Sequence, residues 1–304
     1  MPAGRRAPDL VTEWVGTGYG AAASVLRTAR FLGRERAITV TGHDGRTARL
    51  RLLQSRFAAL DTIGSQLLLG RYELTTRRLF EQLVEPGMSV VDIGANIGYF
   101  TVLSAVLTGP TGQVLAVEPE PRNLAQLQAN LAAPGLEHVR LIAAACSDHL
   151  GQAELGVNAA ESGWHRLLAP GASSAGLHAV TVELTTIDTV LGDHPVDLVK
   201  IDVEGFEGPV VAGMRATLER NPGVNVVLEY SPSQSRLAGL DPSQPLRLLR
   251  DAGLTHAYLV VEDHTALREL DLAALADGQP IKGRSVNLLI RADPMRSHAS
   301  LPVV

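Results

Sequence analysis

One stretch constrains the fold of this chain more than any other: residues 90–100, Val-Val-Asp-Ile-Gly-Ala-Asn-Ile-Gly-Tyr-Phe. Apolar residues lead into a turn with two glycines, and apolar residues at helical spacing follow it, a pattern that predicts strand, tight turn and helix. Gly94 lets the backbone bend sharply beside a ligand, and a side chain at Gly98 would hold the helix off the strand. Because the first turn of the helix offers unpaired N–H groups, we expect a ligand on this turn.

The glycine pattern differs from that of dinucleotide-binding enzymes. Those enzymes show G-x-G-x-x-G, whereas this chain has Asp92-x-Gly94-x-x-x-Gly98. A carboxylate repels a diphosphate and suits a cation. Asp92 therefore favours the sulfonium and ammonium groups of S-adenosylmethionine over NAD, and a βα turn in some other α/β enzyme stays the alternative interpretation.

The composition sets limits on the class of protein. With 304 residues and 45% hydrophobic residues, the chain can bury the core of one large domain, with or without a small appendage. A net charge of −5 provides no basic surplus for a nucleic-acid partner. The single cysteine, Cys146, excludes an internal disulfide and a cysteine-based metal cluster. No run of 18 apolar residues occurs, so we expect no membrane span, no secretion and a cytoplasmic protein.

The chain divides at about residue 70. Before it we predict a helical arm in residues 1–34 and a β-hairpin around Asp44-Gly45, which together form an appendage, 1–70. The main domain, 71–304, alternates strand and helix from residue 88 onward, which predicts a mostly parallel sheet with right-handed crossovers.

The main domain is predicted to contain seven sheet strands. They are 88–93, 113–117, 139–144, 196–201, 224–229, 258–261 and 286–290, and we expect the last two to form an antiparallel hairpin on one edge. The predicted helices are 72–84, 97–107, 121–132, 207–218 and 244–252. Two short strands, 153–157 and 179–184, with a loop at 169–176, interrupt the alternation.

Ligands of open α/β sheets bind at the carboxyl ends of the strands, so the residues that follow each strand are the candidates for a site. Glu118 follows the second strand and can accept both hydroxyls of a ribose, although a solvated glutamate is the alternative. Small residues at 144–146 follow the third strand and leave room for a flat base. Ser147 or Asp148 can then bond the adenine amine, and a plain turn explains this segment nearly as well.

The fourth strand carries alternating charges at its end. Extended backbone would place Lys200, Asp202 and Glu204 on one side. Such charges are costly at a buried sheet unless they are paired or used in chemistry. A purely structural pair of Lys200 with Asp202 is the alternative.

Taken together, these motifs resemble the FkbM family of S-adenosylmethionine-dependent methyltransferases. The resemblance covers roughly residues 70–230 and rests on segments 71–73, 92–100, 117–119, 130–131, 147–151 and 200–207. It implies an α/β fold with a Rossmann-like class I methyltransferase sheet, mostly parallel, with seven strands of which the last is antiparallel. It also implies S-adenosyl-L-methionine as the cofactor and O-methylation of a small-molecule hydroxyl acceptor, such as a polyketide or a sugar. By the same resemblance the donor site is lined by Asp92, Gly94, Asn96, Glu118 and Asp148.

Methylation of an alcohol needs a group that takes the hydroxyl proton. Asp202 is our first candidate for that base or for a substrate anchor, with Lys200 to hold it or to lower the pKa of the acceptor. His165 is the second candidate, although a lone histidine in a loop is often only solvated. Asp202, Glu204 and Glu229 can also gather as oxygen ligands for Mg²⁺, which a count of carboxylates does not establish.

Three other functions remain open. They are a nucleotide- or NAD-dependent enzyme on the same fold, a binding module without catalysis, and an RNA methyltransferase, which the acidic balance disfavours. Residues 27–36 and 240–254 are candidates for free surface, a lid or the contact of a homodimer.

Overall fold

A computed structural model describes residues 37–42, 44–52, 62–157, 165–168, 178–262, 265–281, 285–298 and 301–304. The predicted arm at 1–34 and the predicted loop at 169–176 lie outside these residues. Within the described ranges, no helix combines the length and the apolar character that crossing a membrane requires.

Strands and helices alternate along most of the described chain. The strands are β1 Ala37–Thr41, β2 Thr47–Arg51, β3 Ser89–Ile93, β4 Gln113–Val117, β5 Val139–Ile142, β6 Ala145–Cys146, β7 Gly151–Val157, β8 Arg166–Leu167, β9 His178–Thr185, β10 Leu198–Ile201, β11 Asn225–Tyr230, β12 His256–Val261, β13 Ala266–Leu270 and β14 Val286–Arg291. The described helices are α1 Thr62–Leu68, α2 Leu74–Leu83, α3 Tyr99–Thr108, α4 Pro121–Leu131, α5 Ile187–Leu191, α6 Glu207–Ala212, α7 Arg215–Arg220, α8 Pro232–Leu237, α9 Gln244–Asp251 and α10 Leu272–Ala276.

The main sheet has eight strands in the order β13-β12-β14-β11-β10-β3-β4-β5. Seven of them are the predicted strands, and β14 runs antiparallel to both of its neighbours, β11 and β12. The predicted α/β class with a mostly parallel, Rossmann-like sheet is confirmed. The chain reverses between β3 and β10 in this order, which makes the carboxyl ends of these two strands the natural position for a ligand.

The eighth strand, β13, was missed. It pairs antiparallel with β12 and occupies the edge of the sheet, so the predicted hairpin of the last two strands does not form an edge. The segment between those strands contains β13 and α10 instead of a polar loop alone. Because β13 has only two buried residues, followed by charged and exposed ones, it has no clear alternation in the sequence.

A smaller sheet forms in the order β6-β9-β7-β8. The two short strands predicted at 153–157 and 179–184 belong to it. The predicted strand 139–144 was too long, because β5 ends at Ile142 and the chain then crosses to the small sheet, where Ala145 pairs with Leu184.

The predicted helix 207–218 was wrong as one continuous helix. The chain forms two short helices, α6 and α7, separated at Gly213. A Cβ atom at Gly213 would lie 2.0 Å from the carbonyl oxygen of Ser147. The helix therefore breaks where its backbone approaches the loop after β6, a long-range contact that helical periodicity does not reveal.

The main sheet is buried on both faces. Val91 and Ile93 of β3 pack on one face with helices α6 and α9, and Val90 packs on the other face with α2 and α3. Since side chains alternate along a strand, Asp92 lies on the same face as Val90, beneath α3.

The hairpin of β1 and β2 packs on the α3 side of the main sheet. Leu50 is buried in the same cluster as Leu103 of α3, and the backbone N–H of Arg51 donates to Asn130 Oδ1 at 2.8 Å. The division of the chain into an appendage, 1–70, and a main domain remains a prediction.

The close approach at Gly213 is testable by Gly213→Ala. We expect the free energy of unfolding to fall by about 2–3 kcal/mol, since the new methyl group meets backbone that cannot rotate away. Urea denaturation measures the change. Gly223→Ala is the matched control, because a Cβ atom there has nothing within 4 Å. Equal stability of the two variants would contradict the contact.

Candidate active site

A cavity of about 330 Å³ opens at the carboxyl ends of the sheet strands. Residues at or after the ends of β3, β4 and β5 line one half, and residues that follow β10, together with Glu229 near the end of β11, line the other. The order β5-β4-β3-β10-β11 sets these two halves side by side. Two ligand groups that must react with each other can therefore meet above β3 and β10.

The turn after β3 lines the middle of this cavity. Its Gly94 has a φ of 79°, and a Cβ atom there would lie 1.8 Å from the carbonyl oxygen of Asp202. The turn thus passes directly against the end of β10, which only glycine permits. At Gly98 a Cβ atom would meet Leu127 of α4 at 2.4 Å, so this glycine serves helix packing and is not one of the lining residues.

Glu118 and Asn96 form the wall beside this turn. Glu118 is buried, and its two carboxylate oxygens accept the N–H groups of Asn96 and Glu120, each at 2.8 Å. Burial raises the pKa of Glu118 to about 7, and the backbone N–H donors offset part of that effect. Asn96 itself has a φ of 52°, a strained conformation that places its N–H toward the carboxylate.

Asp92 is buried beneath the Gly94 turn and is not among the residues that line the main cavity. It is 1% exposed, and it lines a small adjoining cavity of about 20 Å³ together with Lys200. Thr101 Oγ1 donates to Asp92 Oδ2 at 2.6 Å, while Oδ1 is buried without a hydrogen-bond partner among the described residues. Burial raises the pKa of Asp92, and the nearby Lys200 ammonium counters that effect.

The segment after β5, which includes the short strand β6, supplies small lining residues. Ala144, Ala145 and Cys146 line the cavity as expected for a flat ligand. Ser147 and Asp148 are not among its lining residues. Ser147 Oγ donates to Asp148 Oδ1 at 3.2 Å, and Asp148 pairs with His149 near the surface.

Lys200 is the buried cation at the other half of the site. It is 3% exposed and donates to Asp202 Oδ2 at 2.7 Å, and its Nζ lies 5.0 Å from the ring centre of Phe100. Burial disfavours its charge, but the carboxylates of Asp202, Glu73 and Asp92 outweigh burial and raise its pKa. The parallel register places Lys200 directly beside Asp92 on β3.

Asp202 and Glu229 form a hydrogen-bonded carboxyl pair next to Lys200. Burial would raise the pKa of Asp202, but Lys200 and the bond from Glu229 hold it below its usual value. Burial and the charge of Asp202 raise the pKa of Glu229 well above its usual value, which favours its protonated form. Ser285 Oγ also donates to Glu229 at 2.5 Å.

The magnesium interpretation is not supported. Asp202, Glu204 and Glu229 all line the cavity. Asp202 is already neutralised by Lys200, however, and Glu204 departs from the strand with a φ of 49°. Among the residues that the structure describes, no group of three or more His, Cys, Asp or Glu side chains is placed to hold a metal ion.

His165 lines the cavity from the segment before β8. The structure also adds lining residues that the sequence analysis did not select, among them Tyr72 and Glu73 before α2 and three residues of α1. The segment Arg71-Tyr72-Glu73 contributed to the family resemblance, but the sequence contained no indication that these residues belong to the site. Its approach to the strand ends depends on long-range packing.

The sequence of this chain also matches a protein family. Residues 92–270, more than half of the chain, match the model of the methyltransferase FkbM domain. The chain belongs to the FkbM methyltransferase family. A region of 64 residues, 20% of the chain, is also 36% identical to protein-L-isoaspartate O-methyltransferase 1 of Arabidopsis thaliana, and it spans 28% of that enzyme.

Solved structures are similar to this FkbM protein at low identity. The methyltransferase FkbM of Methylobacillus flagellatus KT is 13% identical with a TM-score of 0.42, over 70% of this chain and 50% of that one. A putative rRNA-methylase of Clostridium thermocellum is 13% identical with a TM-score of 0.44, over 72% of this chain and 94% of that one. Likeness at this level does not transfer a substrate from one protein to another.

Four buried or half-buried glutamates of this FkbM protein predict how its stability depends on pH. The pKa is raised to about 7 at Glu73, Glu118 and Glu207 and to about 8 at Glu204. An acid with a raised pKa stabilises the folded state fully below its unfolded pKa of about 4.5, and this stabilisation is lost as pH rises through the folded value. Between pH 5 and 8, Asp202 with its lowered pKa and Lys200 with its raised pKa keep their charges.

We therefore expect the Tm of the protein alone to fall by roughly 5–10 °C between pH 5 and pH 8, since a chain of this size loses about 2–4 °C per kcal/mol. Differential scanning fluorimetry measures the trend. Glu118→Gln should flatten it. Glu137→Gln should not, because Glu137 is exposed and has a lowered pKa. A Tm that stays constant or rises across this range would contradict the burial of these groups.

Proposed function

We propose that this FkbM protein is an S-adenosylmethionine-dependent O-methyltransferase that acts on a hydroxyl of a small molecule. The observation that carries the proposal is the divided cavity. One half has the glycine turn and Glu118, and the other half has carboxylates around Lys200. Its volume of about 330 Å³ is within the range of small-molecule sites.

The residues of the first half fit the donor. Bound S-adenosylmethionine supplies a methyl group activated by a positively charged sulfur. Asp92, with one buried oxygen that lacks a partner among the described residues, provides negative charge beneath the Gly94 turn and favours a cation there. Glu118 can accept the hydroxyls of a ribose, and Ala144–Cys146 leave room for the base.

The residues of the second half fit the acceptor. The sequence left two roles open for Asp202, base or anchor. Because Lys200 donates to it at 2.7 Å and holds its pKa low, Asp202 is a weak base and a strong hydrogen-bond acceptor. We assign it to anchor the acceptor molecule by accepting a hydrogen bond from a hydroxyl other than the one that is methylated. An anchor that holds the reacting hydroxyl in line with the methyl group is worth up to roughly 7–11 kcal/mol of the barrier.

Donor binding is the first test. Titration calorimetry should detect S-adenosylmethionine and its demethylated product, S-adenosylhomocysteine, but not NAD, since Asp92 and Glu118 repel a diphosphate. Glu118→Gln should weaken binding about 10–100-fold through the lost charged hydrogen bonds. Glu207→Gln is the control, because Glu207 is an equally buried carboxylate that is not among the cavity-lining residues. Binding of NAD without binding of S-adenosylmethionine would refute the proposal.

Methyl transfer is the second test. Radiolabelled donor should pass its methyl group to at least one member of a panel of methyl glycosides, inositol and hydroxylated macrolactones, and EDTA should not reduce the rate. Labelling of RNA at low salt, with no labelling in the small-molecule panel, would favour the RNA methyltransferase interpretation instead.

A further inference from the structure

If the proposed function holds, some group must accept the proton of the hydroxyl that is methylated. The inference that follows rests on that function. Four carboxyl groups line the acceptor half of the cavity: Glu73, Asp202, Glu204 and Glu229. Asp202 is neutralised by Lys200, and Glu229 favours its protonated form and donates to Asp202. Of these four carboxyl groups, Glu73 and Glu204 remain as acceptors of a proton.

Glu73 reaches the cavity from outside the sheet. It precedes α2 at the N-cap position, with a φ of 39° in the left-handed region. A residue other than glycine in that region costs on the order of 1–3 kcal/mol and persists only where its surroundings impose it. The strain thus indicates that the structure holds Glu73 in place for a reason other than local preference.

A carboxylate at the N-cap normally accepts N–H groups of its own helix. Glu73 makes no such bond. Glu262, at the end of β12, takes these donors instead: its oxygens accept the N–H of Thr75 at 2.8 Å and the N–H of Thr76 at 3.1 Å. The Thr76 hydroxyl also donates to Glu262 at 2.7 Å. Because a distant carboxylate caps the helix, the carboxylate of Glu73 is left for the cavity.

Asn287 fixes the carboxylate of Glu73. Its side-chain N–H group donates to Glu73 Oε2 at 3.1 Å and lies 3.1 Å from the Thr76 hydroxyl. Asn287 is paired with Glu229 across β14 and β11. Glu73 therefore lies on the β11 and β14 side of the cavity, away from the donor half over β3, β4 and β5.

We propose that Glu73 is a catalytic residue that takes the proton of the acceptor hydroxyl, and that Asn287 and Glu262 are positioning residues that direct it there. The acceptor oxygen bonds to the methyl carbon while the carbon–sulfur bond breaks and leaves its electron pair on sulfur. The hydroxyl proton passes to the Glu73 carboxylate and then to water.

The charges around Glu73 support this role. Burial raises its pKa to about 7 and Lys200 favours its ionised form, so it can both accept and release a proton near neutral pH. Lys200 has less effect on Glu204, which bonds to Gln234 and has a pKa of about 8. The titratable groups that face Glu73 are Tyr72, Tyr99, Lys200, Asp202, Glu229 and Glu262.

Turnover as a function of pH tests the role, with the methyl glycoside, inositol or macrolactone that the unchanged protein methylates as the probe. We expect its kcat to rise with pH through about 7. Glu73→Gln should lower kcat about 10²–10⁴-fold and remove this rise, while the Kd for S-adenosylmethionine stays within about 3-fold. Glu207→Gln, whose pKa is also raised to about 7 by burial, is the matched control and should keep both the rate and the pH profile.

Asn287→Leu tests the positioning role. The lost hydrogen bond stabilised the ionised carboxylate, so the rise in kcat should move to higher pH by about one unit. A purely structural role for Asn287 would lower the rate without moving the profile.

A titration without donor or acceptor provides an independent measurement. The difference between the Tm curves of the unchanged protein and Glu73→Gln should change between about pH 4.5, the unfolded pKa of a glutamate, and about pH 7, and should be level above that. The proposal is overturned by a flat difference curve, by a Glu73→Gln variant with nearly normal turnover, by one that loses donor binding more than tenfold, or by Glu204→Gln causing the loss of turnover instead. Failure of the proposed function is distinguishable, because the unchanged protein would then neither bind the donor nor methylate any acceptor.

Discussion

The site depends on one buried ammonium group. Lys200 is 3% exposed, and the parallel register places it beside Asp92 on β3, while its Nζ donates to Asp202 at the end of its own strand. Removing a charge from water is costly unless partners compensate, and here carboxylates from two strands and from the segment before α2 surround it. The same ammonium links the two halves of the cavity, because it pairs with Asp202 in the proposed acceptor half and its charge favours the ionised form of Asp92 beneath the proposed donor half.

This arrangement gives carboxyl groups of one chemical type different pKa values. Asp202 has a lowered pKa because it bonds to Lys200, whereas burial raises the pKa of Glu73, Glu118 and Glu204. Environment sets these differences, as in other enzymes that use several carboxylates in one site. Backbone strain is also concentrated at this site. Asn96, Glu73 and Glu204 all have positive φ angles, and all three line the cavity.

The sequence was sufficient to predict the α/β fold and to select several residues that line the cavity at the strand ends. Apolar runs followed by Gly94 or Glu118 located the strand ends, and alternation at the end of the predicted strand 196–201 singled out Lys200, Asp202 and Glu204 as candidates. Long-range contacts were not predictable in the same way. The break at Gly213 depends on a carbonyl oxygen of Ser147, β13 has no clear alternation, and Glu73 is directed to the cavity by Glu262, which is 189 residues later in the chain. Ser147 and Asp148 follow a strand as predicted, but they do not line the cavity, whereas the small residues just before them do.

A crystal structure of the full chain with S-adenosylhomocysteine bound would show whether the cavity has a donor half and an acceptor half. We expect the product to occupy the cavity at the strand ends, with its ribose at Glu118, its base against Ala144–Cys146 and its sulfur facing Asp202 and Glu73. A product bound elsewhere, or bound with its sulfur turned away from the carboxyl groups around Lys200, would contradict this expectation.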